Sequence, residues 1–245
     1  MLPCLLVAFA LVADPVADLA AKAEAGDAAA QLELSLRYRD GRGTKRDYGA
    51  ALKWARLAAD SGNAAAQDAV GFQFLRGLGV PQNYDVAVGY FRSAQRAGNV
   101  AGTNNLAACH FSGLGLEQNF EKAIELWKQT ATKGSPEAAA RLATIYYAGD
   151  GAARDVELAE KYCRQAAEGG RVDAKLLLGE MLYQQGKKDA AKELWEPLAR
   201  TGNASAKDLL TLAAWRDQKP EPGKFAYVDY RHVSQGWNNC GATSC

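Results

Sequence analysis

The sequence predicts an all-α solenoid of stacked helix pairs, and three observations predict it. Glycines recur at a fixed step: Gly26, Gly62, Gly98, Gly134 and Gly170 stand 36 residues apart. Gly41, Gly77, Gly113 and Gly149 keep that step, and so do Gly43, Gly79, Gly115 and Gly151. Residues that cap helices recur in the same register, and apolar residues recur between them at three- and four-residue steps. A tandem period of this length belongs to arrays in which one helical pair is the repeating unit.

One unit shows the logic. From Ala64 to Arg76 the apolar positions follow the helical period, a G-x-G loop with Pro81 follows, and a second periodic run goes from Asn83 to Ala97. Asp47, Asn83, Asn119 and Asp155 share one column after the loop, where a side-chain oxygen can accept from free N–H groups of a helix start. Asp27, Asn63, Asn99, Ser135 and Asn203 hold the matching place before each first helix, and Pro136 follows Ser135 where a missing N–H costs nothing. The glycines fall where helices end and a positive φ is needed.

The predicted core is columnar. Leu34, Val70, Leu106, Leu142 and Leu178 form one column, and the small residues Ser35, Gly71, Ala107, Ala143 and Gly179 form the next. Tyr38, Phe74, His110, Tyr146 and Leu182 form a bulky column. On the second helix stand Ala51, Ala87, Ala123 and Ala159, followed by Trp54, Tyr90, Leu126 and Tyr162. Each pair is amphipathic and buries its face only by stacking on its neighbours.

These columns resemble the Sel-1-like repeat, a relative of the tetratricopeptide repeat. The segment Phe72-Gln73-Phe74-Leu75-Arg76-Gly77-Leu78-Gly79-Val80-Pro81-Gln82-Asn83-Tyr84 carries the likeness most fully. The resemblance covers residues 14–216 and implies a right-handed α/α superhelix. It also implies an adaptor in a multiprotein assembly, in bacteria often exported. Some members carry a disulfide inside each repeat; here Cys109 and Cys163 fall in different columns, which excludes that variant.

In chain order, residues 1–13 are apolar and read as a secretory signal, too short for a membrane span. The implied location is secreted or periplasmic; if the run is instead an apolar cap on the solenoid, the location is cytoplasmic. Pro15 to Ala25 reads as a half-repeat cap, with polar Asp18 and Lys22 where full repeats place Trp54 and Ala58. Full units follow at 27–62, 63–98, 99–134 and 135–170, then a shorter one at 171–202 that lacks the G-x-G loop. A helix from Ala204 to Arg216 closes the array. Residues 217–223 read as a linker and Phe225 to Val233 as a strand, so the C-terminal tail is non-helical.

The tail, 224–245, resembles the start of a papain-like cysteine peptidase of the bacteriocin-processing type, through Gln235 and Asn239-Cys240-Gly241-Ala242-Thr243-Ser244. That likeness implies Cys240 as nucleophile, its thiolate favoured at a helix start, and Gln235 as oxyanion donor. The family's base is a downstream His, and the histidines here, His110 and His232, both precede Cys240. The chain thus reads as the front of a longer protein, inactive as it stands. A plain tail cysteine and a Cys240–Cys245 disulfide are the other readings.

Composition narrows the function. The net charge is +1 with acids and bases intermixed, so no basic stripe points to nucleic acid. No C-x-x-C or paired histidines indicate a metal, the G-x-G loops lack the strand and Lys of a phosphate loop, and no cofactor is implied. Cys109 and Cys163 read as buried inert thiols, and Trp54, Trp127, Trp195 and Trp215 as core. The function expected is a monomeric scaffold that holds a protein or peptide partner along its first helices. Arg37, Gln73, Asn104, Asn105 and Arg141 are the candidate groove residues.

Overall fold

The computed structural model describes residues 15–218, and every regular element among them is helical. The predicted signal segment, the predicted strand, most of the linker, and Gln235 and Cys240 lie outside the described residues. The helices are α1 (Pro15–Glu24), α2 (Ala28–Asp40), α3 (Tyr48–Asp60), α4 (Ala64–Arg76), α5 (Tyr84–Arg96), α6 (Val100–Ser112), α7 (Phe120–Thr132), α8 (Pro136–Ala148), α9 (Val156–Glu168), α10 (Val172–Gln184), α11 (Lys188–Arg200) and α12 (Ala204–Gln218). The last helix runs two residues past Arg216, into the segment read as linker. Two compact units divide the chain, one through Leu194 and one from Trp195.

In the first unit each helix packs on the next, as an α/α solenoid requires. The caps do what their residue types predict. Asp27 accepts from the N–H groups of Ala29 and Ala30, and Asn63 from those of Ala65 and Ala66. Asp47, Asn83, Asn119 and Asp155 each accept from the N–H three residues on. Arg171, in the same column as Asp27, makes no side-chain cap bond. In the second unit Asn203 accepts from Ala206 N–H at 2.9 Å.

Each G-x-G loop is braced by a backbone bond, and the last three by a side chain as well. The N–H of the second-helix cap donates back to the first helix: Asp47 to Tyr38, Asn83 to Phe74, Asn119 to His110 and Asp155 to Tyr146, at 2.8–3.0 Å. A side chain one residue earlier satisfies another orphan carbonyl of that helix end: Gln82 on Leu75, Gln118 on Phe111 and Arg154 on Tyr147.

The second glycine of each loop joins neighbouring repeats. At Gly79 a Cβ would fall 2.5 Å from the Tyr48 carbonyl carbon and 2.9 Å from the Gly49 nitrogen, at the start of the preceding repeat's second helix. Gly115 stands the same way against Tyr84 and Asp85. The recurring glycine therefore serves a close backbone approach as well as a positive φ.

The core follows the predicted columns. The Leu34 and Ala51 columns are buried, and so is the small column from Ser35 to Gly179. Gly71 faces the Phe91 ring, which explains why this repeat takes the smallest residue there. Helix α1 packs on α2 with Ala23 against Ala30 and Leu34, and Asp18 and Lys22 are exposed. Among the described residues no helix is long and apolar enough to cross a membrane.

Candidate functional site

The first helices α2, α4, α6, α8 and α10 carry one wall of the first unit, where α4 packs on α6 and α8 on α10. Asn105 Nδ2 donates to Asp68 Oδ1 at 2.7 Å, tying α6 to α4, and Tyr147 Oη donates to Gln184 Oε1 at 3.3 Å, tying α8 to α10. Between α2 and α4 the wall opens into a cleft of about 290 Å³. Leu32, Leu36, Ala65, Ala69 and Phe72 give it an apolar lining, with Arg39 and Asp68 at its polar edge. The Arg76 guanidinium lies 5.9 Å from the Phe72 ring centre, within cation–π range.

The charges at the cleft are partly committed. Arg39 is paired with Asp40 at 2.7 Å, and Arg39, with the nearby Arg42 and Arg46, holds that carboxyl below the usual range. Asp68 is pushed the other way: loss of water raises its pKa and outweighs the Asn105 bond, which lowers it. The cleft thus offers an apolar seat flanked by a partly desolvated carboxyl.

The structure separates the five predicted groove residues. Arg141 is exposed on α8, and Arg37 is half-exposed and bonds Glu33 at 3.0 Å. Asn105 lies on the wall, where it holds Asp68. Gln73 is only 1% exposed, and Asn104 is 5% exposed, so both lie in the interior and present nothing to a partner. Asn104 is part of a buried network: it accepts from the Thr130 hydroxyl at 2.6 Å and donates to Ser135 Oγ at 2.9 Å, joining α6 and α7 to the cap of α8. Gln73 shares its column with the half-exposed Arg37 and with Cys109, Ile145 and Met181, all buried, and those three apolar members carried the signal that was missed. Leu32, Leu36 and Phe72 are the wall residues that sequence reasoning passed over.

Cys109 and Cys163 are buried free thiols, as predicted. Burial pushes Cys109 up to about 11 and Cys163 up to about 12, which suppresses the reactive thiolate. Trp127 and Trp195 are core residues, and Trp54 is half-buried against the first repeat. Trp215 departs from the prediction: it lies on α12 and is 54% exposed.

The Sel1 repeat family model matches residues 28–63, 64–99, 100–135 and 136–170. A comparison with curated proteins gives no match. Among solved structures the chain is similar to a protective antigen present in uropathogenic Escherichia coli strains that displays an SLR fold. The identity is 28%, the TM-score 0.68, and the match covers 93% of this chain and 49% of that one. It is also similar to a Sel1 repeat protein from Oxalobacter formigenes, at 25% identity and TM-score 0.73, over 80% of this chain and 58% of that one. The chain therefore spans about half the length of these solved relatives. Four matched repeats in one register, with the cap, loop and core columns that build them, place the chain in the Sel1 repeat family.

Proposed function

We propose that the solenoid is a protein-binding scaffold, and that it holds a partner segment along its inner wall with an apolar side chain seated between α2 and α4. The observation that carries the reading is the cleft itself. Leu32, Leu36 and Phe72 remain half-exposed in one concavity, although a stable core already lies behind the same helices. A grouped apolar surface of this kind marks a contact site more often than scattered exposed residues do. Family membership supports a role in protein association.

A randomised peptide library displayed against the full chain tests the proposal. Enriched peptides should lose about 10-fold or more in affinity, roughly 1.4 kcal/mol, with Phe72→Asp. They should bind normally to Leu57→Asp, which alters an exposed residue of α3. Peptides that bind both variants alike would place the contact elsewhere.

A second reading rests on the tail sequence, in which Gln235 and Cys240 begin a cysteine-peptidase-like domain that the solenoid would supply with substrate. Thiol-reactive labelling decides it: Cys240 should react far faster than Cys245, and equal slow rates remove the reading.

A further inference from the structure

One core column and a column of cations keep the same register along the array. Arg56, Arg92, Lys128 and Arg164 recur every 36 residues on the second helices. The residues 18 positions further on are Phe74, His110, Tyr146 and Leu182. The Arg56 guanidinium lies 5.3 Å from the Phe74 ring centre, and the Lys128 ammonium lies 5.6 Å from that of Tyr146. Each ring also stacks on an aromatic of its own repeat, Phe74 on Tyr90 and Tyr146 on Tyr162, with centres 6.1 Å apart. These junctions attract a cation to an aromatic face.

The junction between the second and third repeats is built differently. His110 replaces the aromatic ring, and Leu126 replaces its stacking partner. The imidazole Nδ1 is buried and has no hydrogen-bond partner among the described residues. Arg92 from α5 and Lys122 from α7 both bear on the ring. Lys122 is offset by Glu125, 2.8 Å away on its own helix. On α4, Asp68 is held by Asn105 and Arg76 lies over Phe72, so neither is committed to the imidazole.

We infer that His110 makes this junction acid-labile: its protonation gives the ring column a cation in the field of Arg92 and Lys122, and α6 loosens from α5 and α7 while the aromatic junctions on either side hold. Burial first, then Arg92 and Lys122, lower the His110 pKa below its ordinary value. The sign follows from that direction. The unfolded chain takes up the proton near pH ~6.5, before the folded chain does. The stability contribution is therefore full above that pH and is lost as the pH falls toward the folded-state value.

The test compares the melting temperature of the full chain at about pH 7.5 and about pH 5 for the wild type, His110→Phe and Arg92→Gln. The wild type should show an acid-induced fall that His110→Phe largely abolishes, since Phe restores the ring found at Phe74. Arg92→Gln, at an exposed position, should reduce the fall and raise the midpoint at which the His110 ring resonances titrate. Hydrogen exchange near pH ~5 should show protection lost in α5–α7 before α8 and α9. An equal acid-induced fall in His110→Phe, an unmoved midpoint in Arg92→Gln, or an even loss of protection along the array would overturn the inference.

Discussion

Three glycines in adjacent repeats should respond to alanine in three different ways. Gly79 has φ +74°, and a Cβ there would fall 2.5 Å from the Tyr48 carbonyl carbon. Gly62 has φ +83° and nothing within 4 Å of the added carbon. Gly89 lies inside α5, is exposed, and also meets nothing within 4 Å. At Gly62 alanine adds only the strain of a left-handed backbone, about 1 kcal/mol. At Gly79 the same strain combines with a collision between two backbones, which no rotamer change relieves. Forced repacking costs ~1–3 kcal/mol, so the total is about 3 kcal/mol. At Gly89 alanine removes a helix-weakening residue and should stabilise by roughly 0.5–1 kcal/mol. At ~3 °C per kcal/mol for a domain of this size, melting temperature should fall about 9 °C for Gly79→Ala, fall about 3 °C for Gly62→Ala and rise about 2 °C for Gly89→Ala. Solenoids can lose repeats piecemeal, so hydrogen exchange should accompany the melts and show Gly79→Ala opening the start of α3 and the following loop first. Equal costs for Gly79→Ala and Gly62→Ala would refute the argument that close approach to Tyr48 fixes glycine at this place.

Three further outcomes follow from the interior and the wall. Thr130→Val should cost about 1–3 kcal/mol because it removes the 2.6 Å donor to Asn104 in a dry site, and a double-mutant cycle with Asn104→Ala should show coupling of about 1 kcal/mol. Native alkylation near pH ~8 should spare Cys109 and Cys163, and peptide mapping should find both modified only after unfolding. Asp68→Asn keeps an acceptor for Asn105 and removes a carboxylate that burial disfavours, so it should stabilise the chain at neutral pH. Because the folded-state pKa of Asp68 is raised, the wild type recovers its deficit once the carboxyl is protonated. The advantage of Asp68→Asn should therefore vanish in denaturation profiles at pH below ~3.8, and an advantage constant with pH would refute the cause given.

The repeat architecture was legible because most of its determinants act locally and recur. A cap such as Asn83 needs only the N–H of Val86, and the Gly77 turn needs only its own helix end. The candidate site was less legible because its residues do not recur. Polarity on a single helix suggested that Asn104 faces outward. Its partners Thr130 and Ser135 lie 26 and 31 residues away, and only their arrival makes a buried amide tolerable. Gln73 could have been placed from its column neighbours Cys109, Ile145 and Met181. Trp215 was harder to place, since the shortened fifth repeat shifts the 36-residue register by four before its helix begins.

In a tandem array the recurring columns account for stability, so individuality must be sought where a column changes character. The wall column Leu36, Phe72, Ala108, Thr144 and Glu180 runs from bulky apolar through small to polar and charged. The neighbouring Leu34 column stays aliphatic throughout, as a shared core demands. Under the binding proposed above, a segment laid along the wall would meet an apolar end at α2 and α4 and a polar end at α8 and α10, and turning it round would mismatch both. Exchanging Phe72 with Thr144 would move the apolar seat along the array and leave the core columns intact. Selected peptides that bound the exchanged chain unchanged would show that position along the wall is not what they recognise.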